Sequence, residues 1–244
     1  MSTVPFDRAI GEQLLRYARL VVARGYIHNS LGNIAVRAAA PGFPDGVAYT
    51  KHAEVSLEEM TLDNVVITDI PTGALLHGTV PTSVGHQLNR EILRLRPDVQ
   101  AVIHAHHDET IALFASRAFP ALRVLSLEFP YVMGRPPHLV PSHLDVEADV
   151  GPVQEFIGGT NALLMENHGV TTLGRSLSEA YHRLNTLASE VRRMILAEQL
   201  AALRGTEVHY LDPASVDWMY QVADHVIYPS RSEDTAAARS SVVA

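Results

Sequence analysis

The order of the helices and strands that the sequence predicts constrains the fold of this chain more than any other feature. Apolar residues at helical spacing predict a helix over residues 5–24, and a Ser-x-x-Glu capping box at 176–179 begins the longest predicted helix. Short apolar stretches predict strands at residues 34–37, 62–69, 99–106 and 161–165. Helices and strands alternate irregularly, which favours a three-layer α/β arrangement over a doubly wound parallel sheet.

The segments between these elements complete the predicted organisation. Residues 38–48 are rich in turn formers and predict a hairpin, and residues 117–150 are rich in Pro and His and predict irregular structure. Two further helices are expected, one ending near Arg94 and one over 108–116. No linker or repeat divides the chain, so we expect one domain over 1–230 and a flexible tail over 231–244.

Composition and charge exclude several classes of function. The net charge is −8 and no stripe of Lys and Arg is present, so nucleic acid is not expected as a partner. No apolar run approaches the roughly 20 residues of a membrane span, and the N-terminus lacks the pattern of a signal peptide. The expected location is therefore the cytoplasm. The absence of Cys removes thiolate chemistry, so any metal must bind His and carboxylate side chains.

The chain's strongest chemical signal is the triplet His104-Ala105-His106. Side chains two residues apart on a strand leave the same face at about 6–7 Å spacing, so both imidazoles can face one metal ion. His168 follows a second apolar strand and precedes Gly169, where a loop can bend towards the first pair. Three His and an open position are typical of a catalytic metal site. The alternative is that these are ordinary surface or core histidines.

The sequence around these histidines resembles the class II aldolase/adducin family. Four separated motifs carry the resemblance in the same order: SLGNIAVR at 30–37, LRPDVQAVIHAH at 95–106, LLMENHG at 163–169 and GRSLSEA at 174–180. The resemblance extends over about residues 9–193. It implies an α/β/α fold with a central, mostly antiparallel mixed sheet, and a divalent metal on His104, His106 and His168. It also implies a homotetramer with active sites between subunits.

Departures from the family pattern bear on the reaction. The family's sugar-phosphate aldolases bind phosphate with three loops, of which only the first, Ser30–Asn33, is retained here. The second usually carries a Gly, but this chain has Lys51 and His52. Ungapped alignment back from Arg96 places Ser83, Val84 and Gly85 where the family has Ser-Ser-Glu, whose Glu is the catalytic acid/base. A sugar-phosphate aldolase or epimerase is therefore disfavoured.

The family also contains decarboxylases of hydroxylated aromatic and heteroaromatic dicarboxylates, and this chain resembles those more. The hypothesis is a metal-dependent, non-oxidative decarboxylase whose ion is chelated by an ortho-hydroxy carboxylate, so that CO₂ leaves and the ring carbon is reprotonated. A dihydroxyphthalate or a hydroxypyridine dicarboxylate, as in aromatic catabolism, is the specific expectation. Two alternatives stay open: an aldolase cleaving a non-phosphorylated hydroxy-keto acid, and a non-catalytic adducin-like scaffold.

Other residues receive roles from their place near these motifs. His52 and His86 are candidate proton donors in place of the lost Glu, since an imidazole titrates near neutral pH. The irregular segment contributes Glu128 as a third catalytic candidate. The expected substrate-binding residues are Ser30, Asn33, Ser83, Arg135 and Tyr228, with Arg135 clamping a carboxylate and Tyr228 reaching a neighbouring subunit's site. Exposed loop positions and structural ion pairs are the alternatives for these residues.

The metal is less constrained than its ligands. Three imidazoles suit Zn²⁺, but a substrate that offers two hard oxygens suits an ion that expands its coordination, such as Mn²⁺, Fe²⁺ or Co²⁺.

Overall fold

The computed structural model describes residues 4–27, 29–116 and 119–227. Eight strands are present in these residues: β1 Asn33–Ala40, β2 Phe43–Lys51, β3 Val65–Asp69, β4 Leu75–His77, β5 Ala101–Ala105, β6 His138–Val140, β7 Ala162–Met165 and β8 Gly169–Gly174. The helices are α1 Arg8–Ala23, α2 His86–Leu95, α3 Asp108–Ala115, α4 Glu128–Met133, α5 Val153–Phe156, α6 Leu177–Arg204 and α7 Pro213–Ile227. None of these helices is both long enough and apolar enough to cross a membrane.

All eight strands belong to one sheet, in the order β4-β3-β2-β1-β5-β8-β7-β6. Every neighbouring pair is antiparallel except β6 and β7, which run parallel. The central strand β5 pairs with β1 on one side and with β8 on the other, so that His104 lies opposite both Asn33 and Thr171. This sheet confirms the predicted mixed, mostly antiparallel arrangement.

Helices cover both faces of the sheet. Along β5 the side chains alternate between two hydrophobic clusters: Ile103 packs in the cluster that contains Leu184 of α6, and Val102 packs in the one that contains Ile92 of α2. Both residues are fully buried. A strand that is buried on both faces needs a layer on each side, and the fold is therefore α/β/α as predicted.

The hairpin predicted over 38–48 is present, with most of its residues on the antiparallel strands β1 and β2. The turn itself is short, and β2 begins at Phe43 although Pro44 and Gly46 lie within it. Gly46 has a φ of +78° and an added Cβ would lie 2.7 Å from the carbonyl oxygen of Ala38, so this glycine permits a close approach of the two strands. Turn-forming residues therefore lie at an irregularity in the strand pairing as well as in the turn.

The segment predicted to be irregular contains two short elements, α4 and β6. Helix α4 includes Pro130, which a first helical turn tolerates because its N–H would have no partner there. Half of the predicted capping box is present at the start of α6, where the Ser176 hydroxyl accepts a hydrogen bond from the Glu179 amide. The Glu179 carboxylate accepts a hydrogen bond from the amide of Arg175, one residue before the cap. The tail predicted over 231–244 lies outside the described residues.

Candidate metal centre

Three imidazoles meet beside the end of strand β5. His104 lies on β5, His106 follows it directly, and His168 lies in the turn between β7 and β8. One ring nitrogen from each lies within 4.8 Å of the other two, and the ring centroids are 4.9–5.1 Å apart. Nitrogen donors grouped in this way suit a single divalent ion, which imidazole binds at about 2.0–2.1 Å.

The turn before β8 explains how a residue distant in sequence reaches the other two histidines. Asn167 has a φ of +59°, in the left-handed region that Asn tolerates better than most residues. At Gly169 an added Cβ would lie 2.4 Å from the carbonyl oxygen of Ala105, so the backbone passes too close to the end of β5 for any side chain. These two residues bring His168 to the pair on β5.

The ring of His104 is held in one orientation by the neighbouring strand. Its Nδ1 lies 3.0 Å from the hydroxyl of Thr171 on β8, and its Nε2 is directed to the group of three nitrogens. Burial lowers the pKa of His104 to about 3, so the imidazole is neutral and can donate its electron pair. A hydrogen bond at the opposite ring nitrogen is the usual support of a metal-binding histidine.

A carboxylate faces the same group. Glu147 Oε1 lies 3.7 Å from His104 Nε2, and Glu147 Oε2 lies 3.4 Å from His168 Nε2. Burial raises the pKa of Glu147, but its contact with His168 and the nearby imidazoles outweigh burial and lower the pKa overall. The same contact raises the pKa of His168. The site therefore combines three imidazoles with an ionised carboxylate.

The histidines line a cavity of about 310 Å³. Its walls include the loop after α1 and the loop before α2, with the polar side chains of Ser30, Asn33 and Ser83. The buried ammonium of Lys51 donates hydrogen bonds to the carbonyl oxygens of Ser30 and Val55, so it holds the first loop against the sheet. The amide group of Asn33 accepts a hydrogen bond from Asn89 on α2.

Comparison with known proteins places this arrangement in a family. Residues 12–195 match the sequence profile described as the class II aldolase and adducin N-terminal domain. The chain belongs to this family. The match contains all three histidines, together with the loops that form the cavity.

Two curated relatives within the class II aldolase and adducin family cover most of the chain. The L-fuculose phosphate aldolase of Methanocaldococcus jannaschii is 25% identical over 190 residues, which are 76% of this chain and 95% of the relative. The 3-oxo-tetronate 4-phosphate decarboxylase of Escherichia coli K12 is 26% identical over 215 residues, 81% of this chain and 96% of the relative. Relatives with an aldolase name and with a decarboxylase name thus both align along nearly their whole length.

A solved structure supports the fold. The crystal structure of YgbL from Escherichia coli, described as a putative aldolase/epimerase/decarboxylase, superposes with a TM-score of 0.72. The superposition covers 87% of this chain and 98% of YgbL at 22% sequence identity. At that identity the similarity concerns the fold alone.

The structure brings six of the predicted site residues together. The three histidines, Ser30, Asn33 and Ser83 all line the one cavity. Glu147 and Gly85 also line it, and the sequence analysis missed both.

Four predicted site residues lie apart from the lining of this cavity. The ring of His52 contacts Asn64 and the Glu54 amide, and His86 contacts Thr68. Glu128 pairs with Arg193 on α6, and Arg135 donates to the carbonyl oxygen of Gly158 beside a different cavity. Their catalytic and substrate-binding roles stay predictions that no contact within one chain supports. Tyr228 lies outside the described residues.

The buried position of His86 predicts a pH dependence of stability. Burial lowers the pKa of His86 from 6.5 to about 3, so between these values the unfolded chain binds a proton that the folded chain does not. The contribution of the neutral, buried His86 to the free energy of unfolding is complete above pH 6.5 and is lost as the pH falls towards 3. We expect His86→Gln in metal-free protein to reduce the pH slope of the free energy of unfolding by up to about 1.4 kcal/mol per pH unit.

Urea unfolding at several pH values between 4 and 7 measures this slope. The matched control is His209→Gln, which removes an exposed histidine. An unchanged slope in His86→Gln, or an equal change in both variants, would show that His86 is not a buried neutral base.

Proposed function

We propose that this chain is a metal-dependent carbon–carbon lyase, and specifically a decarboxylase of a hydroxylated aromatic or heteroaromatic dicarboxylate. The observation that carries the proposal is the group of three imidazole nitrogens that opens onto a cavity. Three neutral protein donors leave positions at the ion for substrate, as in a catalytic rather than a structural site. A divalent ion held there would act as a Lewis acid that takes up the negative charge of the breaking carbon–carbon bond.

The unpaired ring nitrogen of His104 tests whether these residues fit a metal. His104 Nε2 is buried and has no hydrogen-bond partner among the described residues, although its other nitrogen contacts Thr171. A buried polar atom without a partner is costly, and a cation at this nitrogen removes the cost. The donor set is compatible with Zn²⁺, Mn²⁺, Fe²⁺ or Co²⁺.

The cavity walls favour a flat carboxylate over a sugar phosphate. Leu31 and Val84 line the cavity although their side chains are 55% and 58% exposed, so they offer apolar surface to a ligand. None of the described residues in the lining is Lys or Arg, the side chains that most often bind phosphate. Ser30, Ser83 and the Asn33 amide are placed to donate hydrogen bonds to a carboxylate.

The two relatives are named for phosphorylated substrates. We take the type of reaction from the decarboxylase relative and the class of substrate from the cavity of this chain. The Escherichia coli decarboxylase supports loss of CO₂ as a reaction of this fold family, while a lining in which no described residue is Lys or Arg supports a substrate without phosphate. We further propose a homotetramer with sites at subunit interfaces, where Tyr228 of a neighbouring subunit enters the cavity.

Product analysis tests the proposed reaction. Protein loaded with Mn²⁺ or Zn²⁺ is incubated in D₂O with a dihydroxyphthalate, a hydroxypyridine dicarboxylate and related ortho-hydroxy acids. We expect one equivalent of CO₂ and deuterium at the ring carbon that lost the carboxylate. No CO₂ from any ortho-hydroxy aromatic acid would reject the decarboxylase.

The second candidate is an aldolase of a non-phosphorylated hydroxy-keto acid, which the aldolase relative favours. Release of pyruvate and an aldehyde without CO₂ from such a substrate would support it. A non-catalytic scaffold predicts neither product, and it predicts protein that does not bind a divalent ion.

A further inference from the structure

Two buried polar atoms face each other in the metal centre without a hydrogen bond. They are His104 Nε2 and Glu147 Oε1, 3.7 Å apart, and neither has a hydrogen-bond partner in the part of the chain that the structure describes. If His104 Nδ1 donates to Thr171, then Nε2 presents a lone pair to a carboxylate oxygen. Two electron-pair donors repel one another at this distance. The proximity of the nitrogen and the carboxylate oxygen becomes favourable when one cation binds both.

The second carboxylate oxygen extends the contact to another metal-binding residue. Glu147 Oε2 lies 3.4 Å from His168 Nε2, so one carboxylate faces two of the three imidazoles. Only 16% of its side chain is exposed. The segment that carries it is fixed by Val146, which is buried in the hydrophobic cluster on the α2 face of the sheet.

The space for this carboxylate exists because residue 85 is glycine. A Cβ added to Gly85 would lie 2.3 Å from Glu147 Oε1 and 2.7 Å from Asn33 Nδ2. Gly85 is also the position that aligns with the family's catalytic Glu when the sequence is traced back from Arg96. The loop before α2, which has glycine in place of the family's Glu, thus leaves space beside Gly85, and the carboxylate of Glu147 occupies that space.

We propose that Glu147 is a fourth metal ligand, supplied by the loop after β6, and that Gly85 is required to admit it. This inference rests on the proposed metal-dependent function. It assigns the carboxylate of the site to a different part of the chain from that used by the family's sugar-phosphate aldolases. The ligand set becomes three imidazoles and one carboxylate, so a substrate that chelates the ion requires one that expands its coordination beyond four, such as Mn²⁺, Fe²⁺ or Co²⁺.

Metal affinity tests the assignment without reference to turnover. Co²⁺ is titrated into full-length protein against a chromophoric chelator, and the d–d absorption spectrum of the Co²⁺ protein is recorded. We expect Glu147→Gln to weaken Co²⁺ binding roughly 10- to 100-fold and to change the spectrum, because a ligand atom is lost while the shape of the side chain is kept. The matched control is Glu155→Gln, which removes an exposed carboxylate from α5.

A second variant tests the role of Gly85 independently. Gly85→Ala places a methyl carbon 2.3 Å from the position of Glu147 Oε1, so the carboxylate must move and we expect a comparable loss of Co²⁺ affinity and the same kind of spectral change. In the Glu147→Gln background, Gly85→Ala should cause little further loss, because the ligand is already absent. Circular dichroism confirms that each variant is folded.

The outcomes separate this inference from the proposed function. If the wild-type protein binds no Co²⁺, the metal-dependent function and the inference both fail. If the wild type binds Co²⁺ and Glu147→Gln binds it with the same affinity and spectrum, the function stands and Glu147 is not a ligand. Wild-type affinity in Gly85→Ala would likewise reject the requirement for glycine.

Discussion

Replacement of His168 by alanine is expected to lower the rate of CO₂ release at least about 1,000-fold, equivalent to about 4 kcal/mol of transition-state stabilisation. The variant removes one of the three imidazoles that the structure groups within 4.8 Å. A divalent ion with two remaining imidazoles binds weakly, and the Lewis acid of the proposed reaction is lost with it.

Initial rates with the best substrate, at the metal concentration that just saturates the wild type, measure this effect. His182→Ala is the matched control, because it removes an exposed histidine from α6. More than about one tenth of the wild-type rate in His168→Ala would contradict a three-histidine metal centre. A parallel loss in His182→Ala would indicate general damage to the protein instead.

The second large effect is expected at Arg96, which joins two parts of the fold. Its guanidinium is buried and donates to the carbonyl oxygens of Ile157 and Thr160, each at 2.8 Å. It also contacts the Asn161 amide oxygen and forms two hydrogen bonds with Asp98. This residue of the Arg-Pro-Asp motif thus fixes the segment that leads into β7, and through β7 the turn that carries His168.

We expect Arg96→Ala to lower the free energy of unfolding by about 3 kcal/mol, because it leaves two buried carbonyl groups without partners. For a chain of this size the melting temperature should fall by about 10 °C. Thermal and urea unfolding of the metal-free protein measure both quantities.

Arg94→Ala provides the comparison for this change. Arg94 is 46% exposed, and the ion pair that it forms among the described residues is with Glu91 one turn earlier on α2. Such an exposed pair contributes about 0.5 kcal/mol or less. Equal destabilisation by the two substitutions would show that Arg96 acts as an ordinary surface charge.

Two of the three candidate metal ligands could be predicted from spacing because their geometry is local. Side chains two residues apart on a strand always lie on the same face, so His104 and His106 share a face wherever the strand lies in the fold. His168 needed the family motif, since its approach depends on the left-handed Asn167 and the close passage of Gly169 beside β5. Spacing alone does not encode that approach.

The directions of the candidate proton donors could not be predicted in the same way. His52 and His86 are candidates because they lie near the altered loops in sequence, but nearness along the chain does not fix the direction of a side chain. At the start of α2 the ring of His86 turns to Thr68 on β3, and the preceding Gly85 is the residue that lines the cavity. The position of His86 on the first turn of α2 therefore decides that its ring is directed to β3 and away from the cavity.

Glu147 was missed for a different physical reason. It lies 41 residues after His106 in the sequence, in a segment without regular structure, and no periodic pattern connects it with the sheet. Its place in the site depends on the burial of Val146 and on the absence of a side chain at Gly85. Contacts of this kind arise from the assembled fold and have no signature in the local sequence.

Elemental analysis of purified full-length protein tests the central claim most directly. The wild type and His168→Ala are each expressed in metal-supplemented medium, freed of loosely bound ions and measured for Zn, Mn, Fe and Co. We predict one divalent ion per wild-type chain and less than about a tenth of that in the variant. Wild-type protein that holds no divalent ion and cannot be loaded with one would contradict the metal-dependent lyase and favour the scaffold.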